Sequence, residues 1–354
     1  MDKIWWEKTD GAHRFLRETA EVLDGGKSVV LCLPKHLPWR QTMREVLLDL
    51  LERKFSDRTV DVIDAQEISK SPPKYILNNF CDNKEGFRPY NDEAYAEFLA
   101  KSRNISLNSR CIWIQNADET QEEDWFLFID KYHKYLSGNI GGVFILEAGE
   151  NFRWQNFSGG EIFSYDEKIS DYDFFAFNIF LAAEFGRKNN LMKQYLAELL
   201  TQFVAGDVEL AAACVERKED FLRNPREVFL SVTEEKNLAP KSDEDIDGAI
   251  WLTQLKLIFP LTEIFRRRLI KKYYSAISQA LPCYSDNDEK IEQPEQAELG
   301  TLVHLVKTEK LWFDKPDWDE LQNYRGVRNK LAHLKILPFD ELQKIFEKNS
   351  GRLR

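Results

Sequence analysis

Short apolar runs alternate with helically spaced segments through the first half of the chain. Ser28-Val29-Val30-Leu31-Cys32-Leu33 reads as a buried strand, and Thr59-Val60-Asp61-Val62-Ile63 as a second. Cys111-Ile112-Trp113-Ile114, led into by residues 104–110, is a third, and Gly142-Val143-Phe144-Ile145-Leu146 a fourth. Between them, Val46, Leu47, Leu50 and Leu51 set a helix over 41–54, and 122–136 is also helical. Continuous apolar strands separated by helices predict a parallel sheet covered on both faces. Residues 71–90, with three prolines, read as an excursion from that core.

The pattern then turns helical. Residues 174–185, 191–203 and 208–215 are apolar at helix spacing, and Arg223-Asn224-Pro225 reads as a helix stop and restart. A charged linker with Pro240 follows, over 233–247. Residues 247–280 predict one long helix, or two joined near Pro260, because an interior proline removes a hydrogen bond. A polar, acidic loop over 282–294 precedes helices over 297–306, 318–333 and 338–348. No internal repeat is present. The expected organisation is an α/β domain over 1–170, a helical lid-like region and linker over 171–240, and an all-α domain over 243–354.

Composition narrows this picture. At 354 residues with 43% hydrophobic positions, the chain can build two or three cores. No run approaches the ~18 apolar residues of a membrane span, and the N-terminus lacks the basic-then-apolar order of a signal peptide. Five scattered cysteines without a C-x-x-C pair fit reduced thiols in a cytoplasm, not a disulfide frame or a zinc site. A net charge of −11 excludes a general nucleic-acid coat. The acid is uneven, however: residues 243–354 carry 18 Lys and Arg against 19 Asp and Glu, and the rest 31 against 41. The C-terminal part can therefore still present a local basic patch.

One cluster there can carry chemistry. Tyr324-Arg325-Gly326-Val327-Arg328-Asn329-Lys330-Leu331-Ala332-His333 places Asn329 and His333 four apart, on one helical face. Arg328 lies beside that face and Arg325 three residues before it. An Arg can hold a phosphate bidentately, and a His can move a proton near neutral pH. Cleaving RNA without a metal needs a base for the 2′-hydroxyl and positive charge at the developing phosphorane. The bland reading is a helix end dressed with capping and surface polar groups.

The motif Arg328, Asn329, His333 resembles that of the HEPN superfamily, the helical nucleotide-binding and ribonuclease domains of prokaryotic toxins and antiviral systems. In that family an Arg, usually followed by Asn, precedes a His by four to six residues within a bundle of about four helices. Leu261-Thr262-Glu263-Ile264-Phe265-Arg266-Arg267 resembles its first helix, with Glu263 and Arg267 as supporting residues, and Glu298-Leu299-Gly300-Thr301-Leu302 its second. A simple helix salt bridge from Glu263 to Arg266 or Arg267 is the local alternative. The resemblance covers roughly residues 243–348. It implies a metal-independent endoribonuclease leaving a 2′,3′-cyclic phosphate, with RNA as substrate and no cofactor or metal. It also implies a homodimer or larger oligomer in which two motifs face one cleft. His333 would transfer the proton or hold the phosphate, Arg328 would stabilise charge and Asn329 would orient the site. Many members have lost activity and serve as assembly parts.

The first half is similar in architecture to AAA-like or STAND NTPases, but its decisive residues depart from them. A P-loop needs a glycine-rich turn with Lys-Ser/Thr after the first strand. Here Asp24-Gly25-Gly26-Lys27-Ser28 precedes the strand and reads as a turn, and Pro34-Lys35-His36-Leu37-Pro38-Trp39-Arg40 follows it. Gln115 stands where an acidic metal ligand is expected, with Asp118 and Glu119 just beyond. ATP hydrolysis is therefore not expected, and a protein-binding or sensing role is. His36 and His133 read as surface or turn residues, and His304 as a core histidine. Trp5 and Trp6 read as an N-terminal anchor, and Phe259, Phe265, Tyr273 and Tyr274 as core. The function these readings favour is a toxin-like antiviral RNase held silent until triggered. The alternative is a non-catalytic assembly or regulatory subunit.

Overall fold

A computed structural model of the chain describes residues 1–81, 91–102, 107–136, 140–154, 156–185, 189–284 and 290–350. The protein is mixed α/β and helical, in two units, Met1–Phe177 and Asn178–Arg354.

The first unit is built on five parallel strands: β1 (Ser28–Leu33), β2 (Thr59–Asp64), β3 (Arg110–Gln115), β4 (Val143–Gly149) and β5 (Gly160–Ser164). Their order is β2-β3-β4-β1-β5. Val29 lies opposite Ile145 on one side and Glu161 on the other, which centres β1 in the sheet. Every residue of β1 is buried, as its unbroken apolar run predicts for a strand covered on both faces. β5 escapes a sequence reading because Gly-Glu-Ile-Phe-Ser has neither a long apolar run nor strict alternation, and all five residues are half-buried.

The helices of this unit are α1 (Asp2–Lys8), α2 (Asp10–Asp24), α3 (Arg40–Lys54), α4 (Pro72–Phe80), α5 (Asp92–Lys101), α6 (Glu119–Leu136), the one-turn α7 (Tyr165–Lys168) and the start of α8 (Asp171–Ala183), which continues into the second unit after Phe177. The excursion read over 71–90 contains α4, whose Ile76 and Leu77 belong to the core; residues 82–90 of it lie outside the described residues. Trp5 and Trp6 are fully buried, and Trp5 stacks on Phe174 at 5.5 Å, so the pair does anchor the N-terminal helix.

The second unit contains α9 (Asn190–Val204), α10 (Val208–Glu216), α11 (Glu219–Arg223), α12 (Pro225–Glu235), α13 (Asp243–Lys272), α14 (Tyr274–Ala280), α15 (Leu299–Lys307), α16 (Lys315–Ala332) and α17 (Phe339–Asn349). The linker is shorter than the charge pattern predicts, because α12 runs to Glu235 and α13 starts at Asp243, capped by the Ser242 side chain. α13 runs unbroken through Pro260. Pro260 and Phe259 are both solvent-facing, where carbonyls that lose a partner reach water, and Thr262 Oγ1 donates to the Phe259 carbonyl. Two short antiparallel strands, β6 (Cys283–Tyr284) and β7 (Lys290–Ile291), bracket residues 285–289 of the acidic loop, which lie outside the described residues.

Helix α16 runs antiparallel to α13. Trp251 Nε1 donates to the Leu331 carbonyl at 2.7 Å. Phe265 stacks on Tyr324 with centroids 4.7 Å apart, and Arg268 pairs with Glu320 at 2.9 Å. Lys272 reaches Asp317 at 2.6 Å. Leu321, Tyr324, Val327 and Leu331 form the buried stripe of α16, which leaves the opposite side of its last turns to solvent.

Candidate functional site

The Arg-Asn-His cluster lies at the C-terminal end of α16. Arg325, Asn329 and His333 follow one another at four-residue steps and so mark one line along the helix. Asn329 and His333 are exposed, and Arg325 and Arg328 half-buried. His333 is the cap residue of α16, not its last helical one, and its N–H donates to the Asn329 and Lys330 carbonyls. Leu334 then takes a left-handed conformation at φ 57°, and Lys335 N–H bonds back to the Lys330 carbonyl. That is a Schellman closure, with leucine where glycine is usual.

The segment carrying His333 is fixed at both ends. Trp251 holds the Leu331 carbonyl. Gln254, almost fully buried, accepts from the Leu337 N–H at 2.7 Å and donates to the Leu337 carbonyl at 3.0 Å. A buried amide that satisfies both polar groups of one residue places a turn firmly. Neither Trp251 nor Gln254 stands out in the sequence, because each is a single side chain with hydrogen-bonding capacity on an otherwise apolar helix face.

The charges are arranged less simply. Arg328 Nη2 pairs with Glu298 Oε2 at 2.7 Å, and Lys330 pairs with Glu341 at 2.7 Å. Among the described residues no hydrogen bond joins the Arg328, Asn329 and His333 side chains to each other, and Arg325 and Arg267 make no ion pair. Glu263 pairs with Arg266 at 2.9 Å, the local helix bridge, and not with Arg267, which is exposed. Arg266 also donates to the carbonyls of Glu295 and Ala297, and so ties down the backbone that leads into Glu298. Glu298 is thus a partner of the cluster that the motif itself does not contain.

The carboxyl edge of the parallel sheet, where open α/β sheets usually bind ligands, offers a second cavity. It encloses about 860 Å³ and is lined by Lys35, Arg40, Gln66, Asn116, Glu122 and Glu147, among others. Its floor is already paired. Glu147 is buried, taking Arg44 at 2.7 and 2.9 Å, Arg40 at 3.3 Å and Trp113 Nε1 at 3.1 Å. Arg44 continues to Asn116, and Asn116 to Asp64. The loop after β1 is pinned by Arg40 on the Pro34 carbonyl and Trp6 on the Pro38 carbonyl. Glu122 accepts the Gly149 N–H, and burial pushes its carboxyl above the ordinary range. Six carboxylates line this cavity against three cations.

Several isolated residues depart from their sequence readings. His133 is half-buried and bonded rather than a free surface group: Ser28 Oγ lies 2.6 Å from its Nε2, and Ser28 Oγ accepts the Phe144 N–H at 2.9 Å. His304, expected in the core, is exposed, and His36 is exposed as expected. Phe265 is core, Tyr273 is half-buried and bonded to Asp317, and Phe259 and Tyr274 are exposed. All five cysteines are buried and none is in a disulfide, and burial pushes the Cys111 thiol up to about 12. Among the described residues no group of three or more His, Cys, Asp or Glu could hold a metal ion, and no helix is long and apolar enough to cross a membrane. No protein-family model and no curated protein matches the chain.

Proposed function

We propose that the C-terminal helical domain, roughly residues 243–348, is an RNase-type HEPN domain, and that the protein is a metal-independent endoribonuclease of prokaryotic antiviral defence. In this reading it works in the cytoplasm as a homodimer or larger oligomer. The N-terminal α/β half, a degenerate NTPase-like domain, senses or binds a protein partner.

One observation supports this reading above the others: Arg325, Arg328, Asn329 and His333 share the solvent-open end of one helix, and that end is anchored by Trp251 and Gln254. Exposed His333 is free to take a proton from a 2′-hydroxyl and return one to the leaving oxygen. In this reading the guanidinium groups hold charge on the phosphate, and Asn329, one turn before His333, orients the imidazole or the phosphate.

Overexpressed wild-type protein should halt growth and cut RNA, leaving 2′,3′-cyclic phosphate ends. His333→Ala should lower cleavage by about 100-fold or more, the usual weight of a general acid–base group. It should leave thermal stability nearly unchanged, because the side chain is exposed. Growth arrest that persists in His333→Ala would rule out the nuclease reading.

The alternative, a non-catalytic assembly subunit, draws on the Arg328–Glu298 pair, since a guanidinium already matched by a carboxylate is not idle. Purified protein that leaves RNA intact under every trigger, yet assembles through this domain, would favour it.

A further inference from the structure

Resting on the nuclease reading of this site, we propose that Glu298 is a built-in competitor for the RNA phosphate, and that RNA binds by displacing its carboxylate from Arg328. The pair is short, 2.7 Å from Nη2 to Oε2, and a carboxylate presents a guanidinium with the same planar oxygen edge that a phosphodiester does. Glu298 reaches Arg328 from outside the motif helix, at the residue before α15. Its side chain makes no capping bond there, so local helix chemistry does not account for it.

Its backbone approach is held in place. Arg266 donates to the Glu295 and Ala297 carbonyls, and the Gln296 side chain accepts the Glu292 and Gln293 N–H groups just upstream. The carboxylate is therefore delivered to Arg328 from an ordered segment. It remains displaceable, because the Glu298 side chain is 58% exposed and that of Arg328 33%. Half-exposed ion pairs are weak enough for a polyanion to replace and strong enough to tax each binding event. Glu298 thereby sets a threshold: an isolated phosphate gains little by displacing it, whereas an RNA strand can also meet Arg325, one turn before Arg328 on the same helix.

The test uses the full-length protein and a short single-stranded 2′-O-methyl RNA, which cannot be cleaved, with binding read by fluorescence anisotropy at fixed salt. Glu298→Gln should tighten binding about two- to fivefold, the weight of such a pair. The gain should vanish in Glu298→Gln/Arg328→Gln against Arg328→Gln alone. Glu295→Gln removes the same charge from an exposed side chain nearby and should change binding far less. An equal gain from Glu295→Gln, a gain that survives loss of Arg328, or no gain at all would overturn the competitor role. Cleavage of unmodified RNA by the same variants keeps the two ideas apart. A gain in binding without any His333-dependent cleavage supports the competitor and removes the nuclease. Cleavage without a gain does the reverse.

Discussion

At the scale of single residues, the chain shows how burial and exposure sort its histidines. His133 and His333 are alike in sequence, each near the end of an amphipathic helix, yet one is locked against a strand and the other faces water. Burial drives the His133 pKa from 6.5 to about 4, opposed only by nearby Asp130, and neutral Nε2 suits an acceptor for the Ser28 hydroxyl. The packing is close: a methyl group at Gly159 would fall 2.3 Å from the ring. Because the folded pKa lies below the unfolded one, the unfolded chain binds the extra proton between pH 6.5 and 4. Stability from this group is complete above pH 6.5 and is lost as pH falls toward 4, by roughly 3 kcal/mol in all. Urea unfolding of the wild type and His133→Gln across that window should show a steeper acid loss in the wild type, since glutamine can keep the Ser28 bond but does not titrate there. Parallel pH profiles would mean that His133 is already charged or solvated in the folded protein.

At the scale of elements, the antiparallel α13–α16 pair makes the candidate site. Phe265 on Tyr324 and Arg268 on Glu320 set the register, and Trp251 and Gln254 then fall level with the two sides of His333. Gln254→Ala would strand the Leu337 N–H and carbonyl in a buried setting, which costs about 2–4 kcal/mol. Chemical denaturation should read that loss. Cleavage by the folded variant should fall in kcat more than in KM, because a displaced imidazole harms proton transfer before it harms RNA binding. Unchanged kcat in folded Gln254→Ala would show that His333 does not depend on this clamp. Strands β1 to β4 and the motif helix were legible because periodicity carries them: Val29 to Leu33 is an unbroken apolar run, and Leu321, Tyr324, Val327 and Leu331 keep helix spacing. The long-range polar links were not legible. Nothing near Gln254 in sequence announces Leu337, nothing near Arg328 announces Glu298, and Pro260 leaves one helix or two open until its solvated position is known. Pairings across 30 or 83 residues are set by tertiary packing, which no local pattern encodes.

At the scale of the whole molecule, the proposed oligomer turns on Leu334. Its side chain is 71% exposed, and its backbone holds φ 57°, a conformation that glycine adopts freely and leucine only with strain. The closing hydrogen bonds of the Leu334 and Lys335 N–H groups offset a strain of about 1–2 kcal/mol, but the exposed leucine side chain, like that of Ile336 close by, adds no packing to them. Contact with a second copy beside the motif would bury that side chain, and in the proposed oligomer it would bring two His333 groups toward one cleft. Leu334→Gly separates the two contributions. Within one chain, relief of strain and the greater freedom of glycine in the unfolded state oppose each other, so monomer stability should stay within about 1 kcal/mol of the wild type. Association should weaken by about tenfold or more, since burying a leucine contributes roughly 1.5–3 kcal/mol. Sedimentation across a dilution series reads the first effect of that loss as a shift toward monomer. RNA cleavage over the same series reads the second, as specific activity that falls at higher protein concentration in the variant than in the wild type. If the variant associates like the wild type, Leu334 lies outside the interface and the two motifs meet by another face. If specific activity is independent of concentration while the protein dissociates, each chain cuts alone and the shared cleft is not required.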